Sequence, residues 1–141
     1  MIVLCGGAFD PLHEGHVLYL RAARACLGQE EDAVLYIAVA TDAYIRTKGR
    51  PPVLLQQERV ALIRALDLGV VLAQDHTGVA TILQRYRPDV YVLGEDYRET
   101  GPPTDAEAIR CRRYGVEIRY VAKRLASSTA IMARYREAWG V

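Results

Sequence analysis

No sign of charge dominates this chain: 18 Lys and Arg stand against 17 Asp and Glu in 141 residues. A near-neutral chain has no field to draw in nucleic acid or an anionic membrane surface, so any phosphate site has to be local. The N-terminus has no basic segment leading into a long apolar stretch, and every apolar run falls well short of the roughly 20 residues that span a bilayer. These absences predict a cytoplasmic protein with no nucleic-acid partner and no membrane partner. Cysteine is scarce and odd in number. Cys5, Cys26 and Cys111 form no CxxC pair, which argues against a disulfide framework or a zinc knuckle and for three small buried apolar residues. Repeats, low-complexity tracts and linkers are absent too, so one domain over residues 1–141 is expected.

Apolar residues make up 51% of the chain and charged residues 25%, the composition of a globular protein. Short runs rich in Val, Ile, Leu and Tyr at 2–5, 33–40, 70–73, 90–93 and 116–121 alternate with segments of helical period at 16–27, 55–66, 79–86, 104–114 and 128–138. Arg-Pro-Asp at 87–89 and Gly115 punctuate helix ends. Strict alternation predicts an α/β fold, a single doubly wound domain with a five-stranded parallel sheet, because a barrel would need roughly 250 residues. Ligands of such sheets bind beyond the carboxyl ends of the strands. The loops to inspect are therefore 6–11, 41–52, 74–78, 94–103 and 122–127.

The first of these opens the stretch GGAFDPLHEGH, residues 6–16. Gly6 and Gly7 let the backbone turn sharply and bring its N–H groups to an anion, next to the positive end of the following helix. The stretch is neither a GxGxxG fingerprint nor a P-loop. A helix starting near Asp10 and Pro11, with Asp10 as cap, would point His13 and His16 the same way, onto one phosphate. Two imidazoles there would stabilise charge on a phosphorus under in-line attack. The segment is one residue short of the HExxH zinc motif and has no third ligand nearby. Ordinary polar residues at a helix start are the remaining reading.

The same eleven residues resemble the signature of the nucleotidyltransferase superfamily, whose HxGH motif is shared with class I aminoacyl-tRNA synthetases. Ser127-Ser128-Thr129-Ala130-Ile131 resembles its second signature, a Ser/Thr cluster opening the last helix. Lys48-Gly49-Arg50-Pro51 followed by Glu58-Arg59 is similar to the lysine loop and next helix of the cytidylyltransferase-like branch. Gly94-Glu95-Asp96-Tyr97 is similar in style to heptose-phosphate adenylyltransferases and glycerol-3-phosphate cytidylyltransferases. The resemblance spans essentially the whole chain and implies a Rossmann-like enzyme. A phosphate oxygen of an acceptor attacks the α-phosphorus of a nucleoside triphosphate and pyrophosphate leaves, with no covalent enzyme intermediate.

Residue by residue, the resemblance implies that His13, His16 and Lys48 are catalytic. Gly7, Ala8, Phe9, His13, His16, Gly94, Asp96, Arg124, Ser127, Ser128 and Thr129 would hold the nucleotide. Asp10, Asp42, Lys48, Arg50 and Tyr97 would face the acceptor. Mg²⁺ is implied by the triphosphate, with few ligands from the protein and no dedicated metal residue. Plainer readings stand beside these: Ser128 or Thr129 as a helix cap, Lys48 and Arg50 in a solvated turn, Asp42 and Asp96 as turn caps. The spacing from Lys123 and Arg124 to Ser127 is shorter than the RTxGxST pattern of the glycerol-3-phosphate enzymes, and Ala126 replaces its Ile, so ATP is favoured over CTP. The expected acceptor is a sugar or polyol phosphate such as heptose 1-phosphate. Glycerol 3-phosphate with CTP, and phosphopantetheine, NMN or FMN with ATP, are the alternatives, as is a nucleotide-binding module without turnover. A homodimer is implied, alone or beside a kinase partner. A tRNA synthetase is excluded by size and by the lack of basic excess.

Overall fold

Five strands pair in parallel in the order β3-β2-β1-β4-β5: β1 (Ile2–Gly7), β2 (Val34–Val39), β3 (Val70–Ala73), β4 (Val90–Gly94) and β5 (Glu117–Val121). The structure is a computed structural model and describes residues 1–122 and 127–140. Side chains alternate across a strand, so Val3 and Cys5 of β1 pack into one face of the sheet and Leu4 into the other. The first face is covered by α1 (Glu14–Ala25) and α3 (Gln56–Ala65) through Leu20, Ala23, Val60 and Ile63. The second is covered by α4 (Ala80–Tyr86) and α5 (Asp105–Tyr114) through Leu83 and Cys111. Burying a side chain such as Leu20, which has no exposed surface, stabilises the fold by about 2 kcal/mol. Helices on both faces of a parallel sheet are the doubly wound α/β architecture that the alternation predicts.

The chain winds outward from β1 to β2 and β3, then returns past β1 to lay down β4 and β5. Strand order therefore reverses between β1 and β4, and the loops leaving these two strands diverge to open a crevice. Gly115 ends α5 in the left-handed conformation at φ 65°, as a glycine cap should. Among the described residues no helix is long and apolar enough to cross a membrane.

Local departures from the sequence reading fall around the crevice. β1 continues through Gly6 and Gly7, which pair with Ala38 and Val39, so these glycines end a strand and make no turn. α1 starts at Glu14 with His13 as its N-cap, and Asp10 caps nothing. The loop after β2 contains α2 (Asp42–Arg46), capped by the Thr41 hydroxyl, and Asp42 is its first residue. At five residues it is too short for a helical period to be visible. Glu95–Tyr97 form a 3₁₀ turn. The last helix, α6 (Ser128–Trp139), buries none of its described residues.

Candidate active site

A cavity of about 880 Å³ lies over the carboxyl ends of β1 and β4. Its lining gathers most of the expected residues: Gly7, Ala8, Phe9, Asp10 and His16 from the first loop and α1, and Lys48 and Arg50 from beyond α2. Gly94, Asp96 and Tyr97 after β4, and Ser127, Ser128 and Thr129 at the start of α6, complete that set. His13 and Asp42 do not line it. Arg124 lies outside the described residues.

In the first loop the turn is made by Phe9, whose φ of 53° is unusual for a residue with a Cβ. The glycines serve packing. A Cβ on Gly7 would stand 3.1 Å from the Phe9 ring, and one on Gly6 would stand 3.2 Å from the Ala38 carbonyl oxygen. The Phe9 ring in turn meets His16 edge on, with centroids 5.2 Å apart. His13 and His16 cap each other: the His16 N–H donates to His13 Nδ1 at 3.3 Å and the His13 N–H to His16 Nδ1 at 3.2 Å. Both Nδ1 atoms act as acceptors, so a neutral ring carries its proton on Nε2 as a donor. The rings stack with centroids 3.7 Å apart, and of the two it is His16, buried at 2% exposure, that reaches the cavity.

Asp10 and Arg50 are engaged with each other. Asp10 Oδ2 accepts from Arg50 Nη1 at 2.7 Å and from the Val53 N–H at 2.8 Å, and Oδ1 accepts from the Leu54 N–H at 2.8 Å. Arg50 Nη2 also donates to the Asp10 carbonyl oxygen at 2.6 Å. Burial pushes the Asp10 carboxyl up; the Arg50 hydrogen bond, the Leu54 and Val53 amides and the Arg50 charge outweigh it and hold the group below the ordinary aspartate range. Both side chains touch the cavity, yet their charges lock the 41–52 loop onto the first loop. Lys48, exposed on that loop, sits with Nζ 4.9 Å from the centre of the Tyr44 ring. Asp42 Oδ1 accepts from Arg59 Nη2 at 2.6 Å.

At the far end the helix cap is Ser127, not Ser128 or Thr129, since the Ser127 Oγ accepts from the Ala130 N–H at 3.1 Å. Ser128 Oγ donates to the Pro11 carbonyl oxygen at 3.1 Å, which seats α6 on the first loop. Thr129, Met132, Ala133 and Arg136 all line the cavity. They follow the i, i+3, i+4, i+7 spacing of one helix face, a signal for Arg136 that the sequence reading passed over.

The opposite wall, where α4 meets α5, was also missed. Glu107, 1% exposed, accepts from the Val79 N–H at 3.0 Å, the Tyr91 hydroxyl at 3.1 Å, and the Thr104 N–H and hydroxyl at 2.8 and 3.0 Å. Burial first, and then the Glu107 charge, push the Tyr91 hydroxyl well above its usual pKa. Gln74, the first residue after β3, gives its amide hydrogens to the carbonyls of His76 and Gly78 at 3.3 and 2.6 Å. The spacing of Thr104 and Glu107 is that of a capping box, the one sequence signal for this wall. Cationic and N–H donors thus come from α1, the lysine loop and α6, and acceptor groups from the α4–α5 wall. Among the described residues no group of three or more His, Cys, Asp or Glu is placed to hold a metal ion. A Mg²⁺ ion carried by a triphosphate needs only one or two protein oxygens, and Asp96 is a carboxylate residue on the cavity lining.

A sequence profile of the cytidylyltransferase-like family matches residues 4–134. The chain is 32% identical to a protein named FAD synthase from Methanobrevibacter ruminantium, over 96% of this chain and 92% of that one. It is 38% identical to the bifunctional protein HldE of Streptomyces coelicolor, over 96% of this chain and 28% of that one. Among solved structures, a lipopolysaccharide core biosynthesis protein from Thermoplasma volcanium superposes with a TM-score of 0.66 at 25% identity, covering 90% of this chain and 98% of the other. With the two end signatures joined over one crevice and the profile spanning nearly the whole chain, this protein belongs to the cytidylyltransferase-like family of nucleotidyltransferases.

Proposed function

We propose that this enzyme transfers the nucleoside monophosphate of a triphosphate, ATP in preference to CTP, to a phosphorylated small-molecule acceptor. An acceptor phosphate oxygen bonds to the α-phosphorus, the bond from that phosphorus to the bridging oxygen of the β-phosphate breaks, and the pair of electrons leaves with pyrophosphate. The observation that carries the reading is the Ser128 to Pro11 bond, which puts both signatures on one cavity. Lys48 supplies positive charge to the phosphates, His16 donates a hydrogen bond from Nε2, and the N-terminus of α6 adds backbone N–H groups. His13 orients His16 through the reciprocal cap. Positioning and charge stabilisation are the whole of the protein's contribution. Mg²⁺ enters with the triphosphate as part of the substrate.

Two acceptors have separate support. The polar α4–α5 wall and the resemblance of Gly94-Glu95-Asp96-Tyr97 to heptose-phosphate adenylyltransferases favour a sugar or polyol phosphate such as heptose 1-phosphate. The match over nearly the full length of proteins named FAD synthase favours FMN. Incubation of the protein with MgATP or MgCTP and each acceptor, followed by pyrophosphate release, tests both. Release from one pairing assigns the acceptor, and none from any phosphorylated acceptor overturns the transferase reading. A cytoplasmic homodimer belongs to the same proposal; sedimentation as a single 15.7 kDa species removes the dimer from it.

A further inference from the structure

Arg59 has no exposed surface, although the other buried residues of its helix, α3, are the apolar Val60 and Ile63. A buried guanidinium is costly unless every donor is used. Here it donates to four acceptors in three segments: the carbonyls of Ala8 and Ala40, both at 2.8 Å, that of Leu54 at 3.0 Å, and Asp42 Oδ1 at 2.6 Å. An apolar residue would fill the space without tying the first loop to anything.

The Ala8 carbonyl is the informative partner. The Ala8 to Phe9 peptide is trans, and in a trans peptide the carbonyl and the following N–H point in opposite directions. By holding the Ala8 oxygen, Arg59 turns the Phe9 N–H away from α3. Phe9 also has the φ of 53°, a conformation that persists in a bulky residue only when its surroundings dictate it. The bond from Arg59 on one side of the peptide and the packing of the Phe9 ring on Gly7 do so. Among the described residues the Phe9 N–H donates to no protein acceptor, and Ala8 and Phe9 both line the cavity.

We propose that Arg59 is a positioning residue which, through the Ala8 carbonyl, aims the Phe9 N–H at the phosphates of the bound nucleotide. It touches no substrate. The inference rests on the triphosphate reading above; the first signature already gives Phe9 to the nucleotide, and what is added is the role of Arg59 in holding it there.

Phe9 is the only phenylalanine in the chain, so protein labelled with [¹⁵N]phenylalanine gives a single backbone amide resonance. Titration with MgATP is expected to move that resonance, and adenosine is expected to leave it in place. Arg59→Lys keeps a positive charge beside Asp42 without reaching all three carbonyls. It should weaken MgATP binding about tenfold while adenosine binding stays within about twofold, a phosphate-specific loss that general loosening does not produce. Ile63→Val on the same helix is the stability control, expected to lower Tm with MgATP affinity retained. A folded Arg59→Lys variant with wild-type MgATP affinity overturns the proposal. So does a wild-type Phe9 amide that ignores MgATP while the protein binds it, a result available even if the variant does not fold. Wild-type protein that binds MgATP no better than adenosine overturns the triphosphate reading itself, a distinct outcome.

Discussion

The hydroxyl of Ser128 donates to the carbonyl oxygen of Pro11 at 3.1 Å, joining residues 117 positions apart. That bond fixes where the N-terminus of α6 stands relative to His16. Ser128→Ala is expected to lose about 1 kcal/mol of stability and to raise KM for the triphosphate roughly fivefold, with a smaller change in kcat. Thermal unfolding and steady-state kinetics read the two effects separately.

His16→Ala removes the acceptor of the His13 N–H, but the His16 N–H keeps its bond to His13 Nδ1, so half of the helix cap survives. His16→Ala is expected to lower kcat by about 10²- to 10³-fold, with the circular dichroism spectrum unchanged. Full activity in the folded variant would take His16 out of the catalytic set.

Asp10 titrates below the ordinary aspartate range, so its contribution to stability is complete above about pH 4 and is lost as pH falls through its lowered folded value. Asp10→Asn leaves the Arg50 charge beside a neutral amide and is expected to cost about 3 kcal/mol at neutral pH. The gap in unfolding midpoint between the two proteins should narrow as pH drops below about 4. A gap that stays constant down to pH 2 contradicts this account.

Gly7→Ala would set a Cβ 3.1 Å from the Phe9 ring, which is buried and has little room to retreat. The expected loss of stability is about 1–3 kcal/mol, and the displaced ring disturbs the Phe9 turn, so KM for the triphosphate rises as well. Gly28→Ala is a useful contrast, because nothing lies within 4 Å of its added Cβ and its cost is that of a positive φ alone.

Much of the fold was legible because buried parallel strands are continuously apolar and the helices between them are long enough to show their period. The strand at 70–73 coincides with β3, and the helix at 104–114 begins one residue before α5 with its Thr104 cap in place. α2 was invisible for the opposite reason, since five residues do not complete a period. The start of α1 was misplaced because Asp-Pro is a good N-terminal signal locally, while the Asp10 carboxylate finds three stronger donors in residues 50–54.

From the order of residues alone came the alternating α/β architecture, the HxGH segment with its spacing of two imidazoles, and the Ser/Thr cluster opening the last helix. Each depends on neighbours within a turn or a strand, which sequence encodes directly. Tertiary structure alone decided that Asp10 and Arg50 hold each other, that Glu107 joins α4, β4 and α5, and that Arg59 grips the carbonyl before Phe9. These are hydrogen bonds between groups from 16 to 51 residues apart. Their donors and acceptors have no local pattern; they meet because burial forces every polar group to find a partner.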